Sequence, residues 1–307
     1  MTKIQYGSMK KLFFLLMISL VVLGCEKLGK DGRTKKQIDW TVWYNDAVMD
    51  NKPSVKIMSF NLRNNRAGGD TGVKNWNHRR VGCISMINAH RPALMGVQEA
   101  YKDMADYVKE NCPGYDYVGI SRNGSGTNNE IPAVFYLRDS ISIENWGTFW
   151  LSDTPDKPSK PSGGDFYRSV TWVKAKHKSS GNAFYHFNTH LNTKKAFHGL
   201  ELEVLMNQAQ KICGDSPVVF TADWNEAEDA SVFEFFLESY LSARVTGLIT
   251  DKNPTVNEFT GIPRARVDHV FYSGFPVCIR FETVNQPWEG IQFISDHYPV
   301  YAILKFD

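Results

Sequence analysis

The chain has 307 residues, of which 42% are hydrophobic, and its 35 basic side chains are nearly balanced by 33 acidic ones. This length suits one large domain or two small ones. The near-neutral charge excludes a strong overall field that would attract nucleic acid, although a local basic groove remains compatible with it.

The N-terminal segment is predicted to be an export signal. Residues 9–11 (Met-Lys-Lys) form a positively charged start, and residues 12–23 form an apolar run too short to cross a membrane comfortably. The run ends in Leu-Gly-Cys, which resembles a bacterial lipobox, where the cysteine is lipidated and becomes the mature N-terminus. We therefore predict a lipoprotein signal peptide over residues 1–25, with Cys25 as the lipidated cysteine.

The expected location follows from this signal. Lipid chains on Cys25 would hold an exported protein stably at a membrane of the bacterial cell envelope. Residues 26–50 are polar and charged with little periodicity, and we interpret them as a tether between the membrane and the folded domain. An uncleaved N-terminal anchor is the alternative to a lipidated terminus.

The remaining chain, residues 51–307, is predicted to form a single domain that contains four further cysteines. They are Cys83, Cys112, Cys213 and Cys278. An oxidising compartment permits two disulfides among them, and buried free thiols are an equal alternative. No CxxC or Cys/His pattern in the sequence indicates a zinc site.

Strand-like runs and helical patterns alternate along this domain. The predicted strands are residues 55–62, 94–98, 115–119, 133–137, 170–174, 183–189, 218–221, 267–272, 279–284 and 300–305. The predicted helices are residues 77–89, 102–111, 200–212 and 231–237. In the first helix, Val81, Ile84, Met86 and Ile87 form the expected core-facing stripe. Many strands with a few intervening helices predict an α+β sandwich of two sheets flanked by helices.

Two long segments without periodicity are predicted to be loops. Residues 63–75 are rich in Asn, Gly and charge, and residues 152–164 contain three prolines and end in two glycines. Loops of this length in a compact domain usually serve a function or lack order. Because they follow strands that end in polar residues, we expect them to form walls of a substrate cleft.

Polar side chains lie at or just beyond the ends of several strand-like runs. They are Asn61, Glu99, His190, Asp223, Asn225, Asp296 and His297. Strands that each deliver a carboxylate, an amide or an imidazole to one rim of a sheet form a polar pocket on an apolar scaffold. These residue types suit a hard divalent cation and a phosphoryl group.

Two pairs within this set predict specific contacts. A carboxylate that accepts a hydrogen bond from an imidazole fixes its tautomer, so we expect Asp268 to orient His297 while Asp296 faces the metal. Asp223 and Asn225 lie two apart in a segment that looks extended, so their side chains should share a face. Asp223 would position or deprotonate an attacking water, and the Asn225 amide would donate to a phosphate oxygen.

Six short stretches together resemble the endonuclease/exonuclease/phosphatase superfamily, which includes the deoxyribonuclease-I-like nucleases. The stretches are residues 59–63, 96–100, 188–191, 223–225, 267–271 and 295–297, in the order typical of the superfamily. Residues 75–80, 130–136 and 149–155 are similar to a bacterial lipoprotein branch of metal-dependent hydrolases. The resemblance implies a four-layer α/β/β/α sandwich of two mixed, largely antiparallel sheets.

The resemblance also implies a metal site. Glu99 would be the principal ligand of Mg²⁺ or Mn²⁺, with Asn61 nearby. Asp296 would be a further ligand or a water-holding group. Both cations take oxygen ligands and keep several bound waters, which agrees with these side chains.

Roles in phosphate binding and proton transfer follow from the same resemblance. His190 and His297 would bind the scissile phosphate and assist proton transfer, and Glu130 would orient His190. Arg168 stands where the bacterial branch carries an arginine and would contact a substrate oxyanion.

The leading functional hypothesis is a Mg²⁺- or Mn²⁺-dependent phosphoesterase in which water attacks the phosphorus in line. A small organic phosphodiester or phosphomonoester is the first choice of substrate. A phospholipid headgroup, as cleaved by sphingomyelinases, is the competitor because tethering brings the site near lipid, and a nuclease ranks third. A lipoprotein that binds a phosphorylated ligand without turnover is the alternative class, and the complete acid–base set disfavours it. No sequence signal indicates oligomerisation, so a monomer is expected.

Overall fold

The computed structural model describes residues 52–126, 128–262 and 264–307. The predicted signal peptide (1–25), Cys25 and the predicted tether (26–50) lie outside the described residues. Within those ranges, no helix combines the length and the apolar character that crossing a bilayer requires.

The described residues contain twelve strands in two six-stranded sheets. In chain order the strands are β1 (Ser54–Asn61), β2 (Leu94–Ala100), β3 (Tyr115–Val118), β4 (Ile131–Leu137), β5 (Ile141–Trp150), β6 (Ser169–His177), β7 (Ala183–His190), β8 (Val218–Asp223), β9 (Leu241–Ser242), β10 (Asp268–Ser273), β11 (Val277–Thr283) and β12 (Val300–Lys305). The first sheet has the order β11-β12-β1-β2-β4-β3, and the second has the order β5-β6-β7-β8-β10-β9. The pairs β1–β2 and β7–β8 are parallel and the other pairs are antiparallel, so the prediction of mixed, largely antiparallel sheets is confirmed.

Helices cover the outer faces of both sheets. The α-helices of the described residues are α1 (Trp76–His90), α2 (Lys102–Asn111), α3 (His198–Cys213), α4 (Glu234–Leu237) and α5 (Ala243–Thr246). Apolar residues of α1 and α2 share one core with the first sheet, and those of α3 and α4 share another with the second sheet. A third core lies between the two sheets. The predicted four-layer α/β/β/α sandwich is therefore confirmed.

The alternation of side chains along β1 shows how one strand serves two of these cores. Successive strand residues point to opposite faces of a sheet. Met58 and Phe60 accordingly pack with α1 and α2, whereas Val55 and Ile57 pack against the second sheet. Strands buried on both faces read as continuous apolar runs, which is why this one could be recognised from the sequence.

Several short or exposed elements were not predicted. β5, β9 and α5 had no counterpart among the predicted elements. β5 is an edge strand whose middle is exposed, and it contains Glu144, Asn145 and Gly147, so it lacks an apolar run. Conversely, the expectation that Asp296 and His297 follow a strand is wrong, because residues 292–294 belong to a loop.

The predicted stripe of α1 is wrong at one position. Val81 is 50% exposed, while Arg79 is fully buried. The Arg79 guanidinium donates hydrogen bonds to four backbone carbonyl oxygens, those of Leu62, Arg63, Lys74 and Ile294. A buried cation is tolerated when its donors are satisfied in this way. Arg79 thus fixes both ends of the loop at residues 63–75 and the segment before Asp296.

A buried asparagine joins the two sheets beneath their polar rim. The Asn188 amide on β7 donates to the carbonyl oxygens of Val97 (2.9 Å) and Ala133 (3.0 Å) in the other sheet. Its oxygen accepts from Gln98 Nε2 at 2.7 Å and from Thr221 Oγ1 at 3.1 Å. All four hydrogen bonds of the amide are therefore made, as a buried polar group requires.

Gly96 on β2 permits this close approach. A Cβ at this position would lie 2.0 Å from Thr221 Oγ1 and 2.4 Å from Asn188 Oδ1. Any larger residue would push the sheets apart at this point. The glycine in the 96–100 stretch therefore has a packing role directly below the site.

Candidate active site

Strand ends from both sheets bring the predicted site residues to one rim. Asn61 and Glu99 come from β1 and β2 of the first sheet, while His190, Asp223 and Asp268 come from β7, β8 and β10 of the second. In the ladders of the second sheet, Asp223 is paired with both His190 and Asp268. Asn61 Nδ2 donates to Asp223 Oδ2 at 2.9 Å, so one hydrogen bond closes the rim between the sheets.

Glu99 is held in place by hydrogen bonds from neutral donors. Its Oε1 accepts from Asn61 Nδ2 at 3.1 Å, and its Oε2 accepts from the backbone N–H (3.0 Å) and the side-chain Nδ2 (2.8 Å) of Asn64. Burial alone would raise the pKa of Glu99, but these hydrogen bonds outweigh it and lower the pKa below its usual value. Glu99 is therefore an ionised carboxylate, the form that binds a cation.

Asp296 is the second carboxylate on this side of the rim. Arg63 Nη1 lies 3.3 Å from Asp296 Oδ2, and the same guanidinium forms a two-point contact with Asp70. Burial raises the pKa of Asp296, and the negative charge of Glu99 raises it further. Two carboxylates that repel each other in this way, with the amide oxygen of Asn61 on the same rim, suit a hard divalent cation.

Asp268 and His297 form the predicted contact. His297 Nδ1 lies 2.8 Å from Asp268 Oδ2, and His297 Nε2 lies 3.7 Å from Asp223 Oδ2. Burial would lower the pKa of His297, but the charges of Asp268 and Asp223 outweigh it and raise the pKa well above its usual value. The imidazole is therefore protonated and lies between two carboxylates.

The same three side chains could also hold a metal ion. Asp223, Asp268 and His297 each offer one ligand atom, and these atoms all lie within 4.8 Å of one another. A protonated imidazole has no lone pair for a metal, however, and its charge already balances this group. Glu99 and Asp296 fit a resident Mg²⁺ or Mn²⁺ better, because the imidazole of His297 lies directly against Asp268 and Asp223 and not against these two carboxylates.

His190 has the opposite charge state. Its pKa is lowered well below the usual value by burial, and the nearby Arg168 and Arg122 lower it further. His190 Nε2 lies 3.4 Å from Asp223 Oδ2, and its Nδ1 has no hydrogen-bond partner within the described residues. The site thus contains one neutral and one protonated imidazole.

The expected pairing of Glu130 with His190 is wrong. Glu130 Oε2 accepts from Arg122 Nη1 at 2.7 Å instead. Arg122 stands eight residues before Glu130 in a loop rich in Gly and Asn, and its guanidinium is the stronger partner for a carboxylate. Glu130 therefore orients an arginine of the site rather than a histidine.

The position of Asn225 also differs from the expectation. β8 ends at Asp223, and Asn225 has a left-handed backbone with φ 50°, so the two residues do not lie on one extended segment. The Asn225 backbone N–H donates to Asp223 Oδ1 at 3.0 Å, and its Nδ2 donates to the carbonyl oxygen of Leu191 at 2.9 Å. One N–H of the Asn225 amide is left for a ligand.

Arg168 lies in a small cleft next to this rim. Its lining includes Glu99, His190, Arg122, Tyr167 and Arg168. Arg122 and Tyr167 were not among the predicted site residues. The adjacency of Tyr167 to Arg168 was a weak signal, and Arg122 had none apart from the loop that it shares with Glu130.

Comparison with known proteins identifies the family of the chain and several similar structures. The sequence profile of the Endonuclease/Exonuclease/phosphatase family matches residues 58–297. The structure of an endonuclease/exonuclease/phosphatase from Bacteroides vulgatus superposes with a TM-score of 0.77 at 25% identity and covers 83% of this chain and 100% of its own. A family protein from Bacteroides thetaiotaomicron gives 0.76 at 28% identity, covering 83% and 99%.

A further similar structure carries a functional name. The mannosyl-6-phosphatase of Bacteroides thetaiotaomicron superposes with a TM-score of 0.73 at 26% identity. The match covers 82% of this chain and 100% of that protein. All of the predicted site residues except Cys25 fall within residues 58–297.

Proposed function

Since the chain belongs to the Endonuclease/Exonuclease/phosphatase family, whose members are metal-dependent phosphoesterases, we propose that it hydrolyses a small organic phosphoester by in-line attack of water. The observation that carries this proposal is that side chains suited to metal binding and side chains suited to proton transfer meet at one rim. Glu99 and Asn61 stand on one side, and the Asp223, Asp268 and His297 group stands on the other.

The proposed metal ligands are Glu99 and Asp296, with Asn61 beside them. A bound Mg²⁺ or Mn²⁺ would polarise the phosphate and neutralise developing negative charge. Asn61 holds Glu99 and Asp223 at once through its Nδ2, so it fixes the spacing between the metal side and the proton-transfer side.

Asp223 is the proposed proton acceptor for the attacking water. Burial raises the pKa of Asp223 to about 7, while the nearby His297 and the hydrogen bonds from Asn61 and Asn225 oppose this shift. A carboxylate with a pKa near neutrality is a more effective base than an ordinary one. It is also held in one orientation by these donors.

The two histidines have separate proposed roles. His297, protonated and oriented by Asp268, would donate to a phosphoryl or leaving-group oxygen. His190 is neutral and would bind a phosphoryl oxygen through an N–H, together with the remaining N–H of Asn225. Arg168 would contact a substrate oxyanion from the adjacent cleft.

The similar mannosyl-6-phosphatase supports a phosphorylated sugar or another small phosphate as the substrate. A phospholipid headgroup and nucleic acid are the competing substrates. We also propose that the protein is exported and anchored to the cell envelope through a lipid on Cys25. Replacing Cys25 with Ser should move the protein from the membrane fraction to the soluble fraction, and an unchanged distribution would refute the anchor.

The test of the activity is a panel of substrates with Mg²⁺ or Mn²⁺. It would contain an aryl phosphomonoester, the matching aryl phosphodiester, sugar phosphates, sphingomyelin and plasmid DNA, with EDTA and His297→Ala as controls. Turnover that both controls abolish supports the proposal and identifies the substrate class. Tight binding of a phosphorylated ligand without turnover of any compound would instead support the non-catalytic alternative.

A further inference from the structure

The cleft beside His190 contains a buried arginine whose guanidinium lacks a hydrogen-bond acceptor in the described part of the chain. Arg168 is 4% exposed, and no side chain or carbonyl in the described residues accepts a hydrogen bond from its guanidinium. A buried cation that lacks an acceptor is costly unless a ligand supplies one. Arg168 lines the cleft that it shares with Glu99 and His190, so the acceptor would come from a molecule bound there.

A second arginine is held against the same cleft. Arg122 donates from Nη1 to Glu130 Oε2 at 2.7 Å and from Nε to Asn129 Oδ1 at 2.8 Å. The guanidinium carbons of Arg122 and Arg168 lie 5.7 Å and 5.5 Å from the centre of the Phe166 ring. Both cations therefore lie within cation–π distance of one aromatic ring, and the two hydrogen bonds of Arg122 leave its other N–H groups for a ligand.

Hydrogen bonds to carboxylates use few of the N–H groups of these two arginines. The carboxylates of Glu130, Glu201 and Asp223 act on Arg168 electrostatically, and Glu99 lines the same cleft. Among the carboxylates of the described residues, however, only that of Glu130 accepts a hydrogen bond from either guanidinium, and burial raises the pKa of Glu130. The carboxylate oxygens of Glu201 accept hydrogen bonds from Asn192 instead. The corner therefore offers several unused N–H donors and favours a ligand with several free oxygens.

Phosphomonoesters and phosphodiesters differ in this respect. A terminal phosphoryl group carries close to two negative charges above neutral pH and presents three non-bridging oxygens. A diester carries one charge and presents two such oxygens. Guanidinium groups match phosphoryl oxygens in geometry and remain charged under all relevant conditions.

We propose that Arg122 and Arg168 form a subsite for the non-bridging oxygens of a terminal phosphoryl group and make the enzyme selective for phosphomonoesters over phosphodiesters. This inference rests on the proposed phosphoesterase function. Arg122 and Arg168 would act as specificity-determining residues, and Glu130 and Asn129 as positioning residues for Arg122.

The test compares two substrates with the same leaving group, p-nitrophenyl phosphate and bis(p-nitrophenyl) phosphate. In Arg168→Ala and Arg122→Ala, kcat/KM for the monoester should fall on the order of 10²-fold, the scale of a lost oxyanion donor, and for the diester less than tenfold. Arg168→Lys should recover part of the loss because it keeps the charge. Arg138→Ala, at the opposite end of β4, is the matched control and should change neither value.

Two results would overturn the inference. Equal losses on both substrates would mean that the arginines serve any phosphoryl group, and unchanged kinetics would mean that they do not contact substrate. Thermal unfolding of each variant separates lost contacts from lost folding.

If the wild-type protein hydrolyses neither compound, calorimetric titration with inorganic phosphate tests the subsite instead. Binding at least tenfold weaker in Arg168→Ala supports the subsite, and an unchanged Kd refutes it.

Discussion

At the scale of single residues, the two histidines of the rim differ in charge because of their neighbours. Burial lowers the pKa of both imidazoles. Asp268 and Asp223 outweigh this effect at His297 and raise its pKa, whereas the charges of Arg168 and Arg122 lower the pKa of His190 further. Both imidazoles are almost equally enclosed, with 11% and 12% of the side chain exposed. Burial favours the neutral form of both imidazoles, so the carboxylates beside His297 make it the proposed donor and leave His190 as the proposed neutral ligand.

Replacing Asp268 with Asn should expose this dependence. The amide cannot stabilise a protonated imidazole and would favour the wrong tautomer of His297. We expect kcat to fall on the order of 10²-fold or more with little change in the unfolding temperature. Steady-state kinetics measure this effect, and the exposed Asp139→Asn is the control. A variant with nearly unchanged kcat would show that Asp268 does not act through His297.

At the residue scale, some contacts of the site could be predicted from the sequence and others could not. The contact between Asp268 and His297 could be predicted because both residues fall within recognisable motifs. The partner of Glu130 could not, because Arg122 lies in a loop without periodicity and only the folded chain brings the two together. Asn225 was misplaced since nothing in its sequence signals a left-handed backbone directly after a strand.

At the scale of elements, a buried acid on α3 binds the segment that joins β7 to this helix. Glu201 on α3 is fully buried and accepts hydrogen bonds from the backbone N–H (2.9 Å) and the side-chain Nδ2 (3.4 Å) of Asn192. Burial raises its pKa to about 7 from 4.5, although the hydrogen bonds and Arg168 oppose the shift. Glu201 thus connects the turn after His190 to α3 through hydrogen bonds. As the pH rises, its buried carboxyl group ionises, which is unfavourable.

This arrangement predicts a pH dependence of stability. The folded state favours protonated Glu201, so its destabilising effect is absent below pH 4.5 and grows as the pH rises towards 7. A shift of this size corresponds to on the order of 3 kcal/mol. Glu201→Gln should unfold at a higher temperature than the wild type at pH 8 and lose this advantage near pH 5. The Gln amide can donate to Asn192 Oδ1, which lacks a partner within the described chain.

Thermal unfolding followed by circular dichroism across this pH range measures the effect. Glu203→Gln on the same helix is a suitable control because that side chain is exposed. Equal pH profiles for the wild type and Glu201→Gln would contradict the prediction.

The close approach of β2 to β7 predicts a second effect at this scale. Gly96→Ala would force a Cβ against Thr221 and Asn188 and so disrupt the hydrogen bonds between the sheets. We expect a loss of about 1–3 kcal/mol in the free energy of unfolding, as found when atoms are added to a packed core. Urea denaturation measures it. Gly199→Ala, where the added Cβ meets nothing within 4 Å, should leave stability unchanged or raise it slightly.

At the scale of the whole molecule, the predicted architecture is confirmed because strands buried on both faces read as apolar runs. The parts that escaped prediction lie at the margins. β5 and β9 end the second sheet, and edge strands need no continuous apolar sequence. Arg79 was assigned to no role because a charged residue in a helix normally faces solvent, and only the assembled loop provides its four acceptors.

Metal binding should stabilise the whole fold. A ligand that binds only the folded state adds about 2.7 kcal/mol at a concentration of 100 Kd, so Mn²⁺ should raise the unfolding temperature and EDTA should reverse it. Glu99→Gln should weaken Mn²⁺ binding at least ~10-fold in calorimetry. Glu110→Gln, exposed on α2, should bind like the wild type. Equal affinity in both variants would place the cation elsewhere.

The hydrogen bond from Asn61 to Asp223 joins residues of opposite sheets at the site. Sliding one sheet over the other by an ångström would leave every strand ladder intact while it separated the metal side from the proton-transfer side. Misalignment on this scale can cost about 10²-fold in rate. On heating, turnover should therefore be lost several degrees below the temperature at which the secondary structure melts.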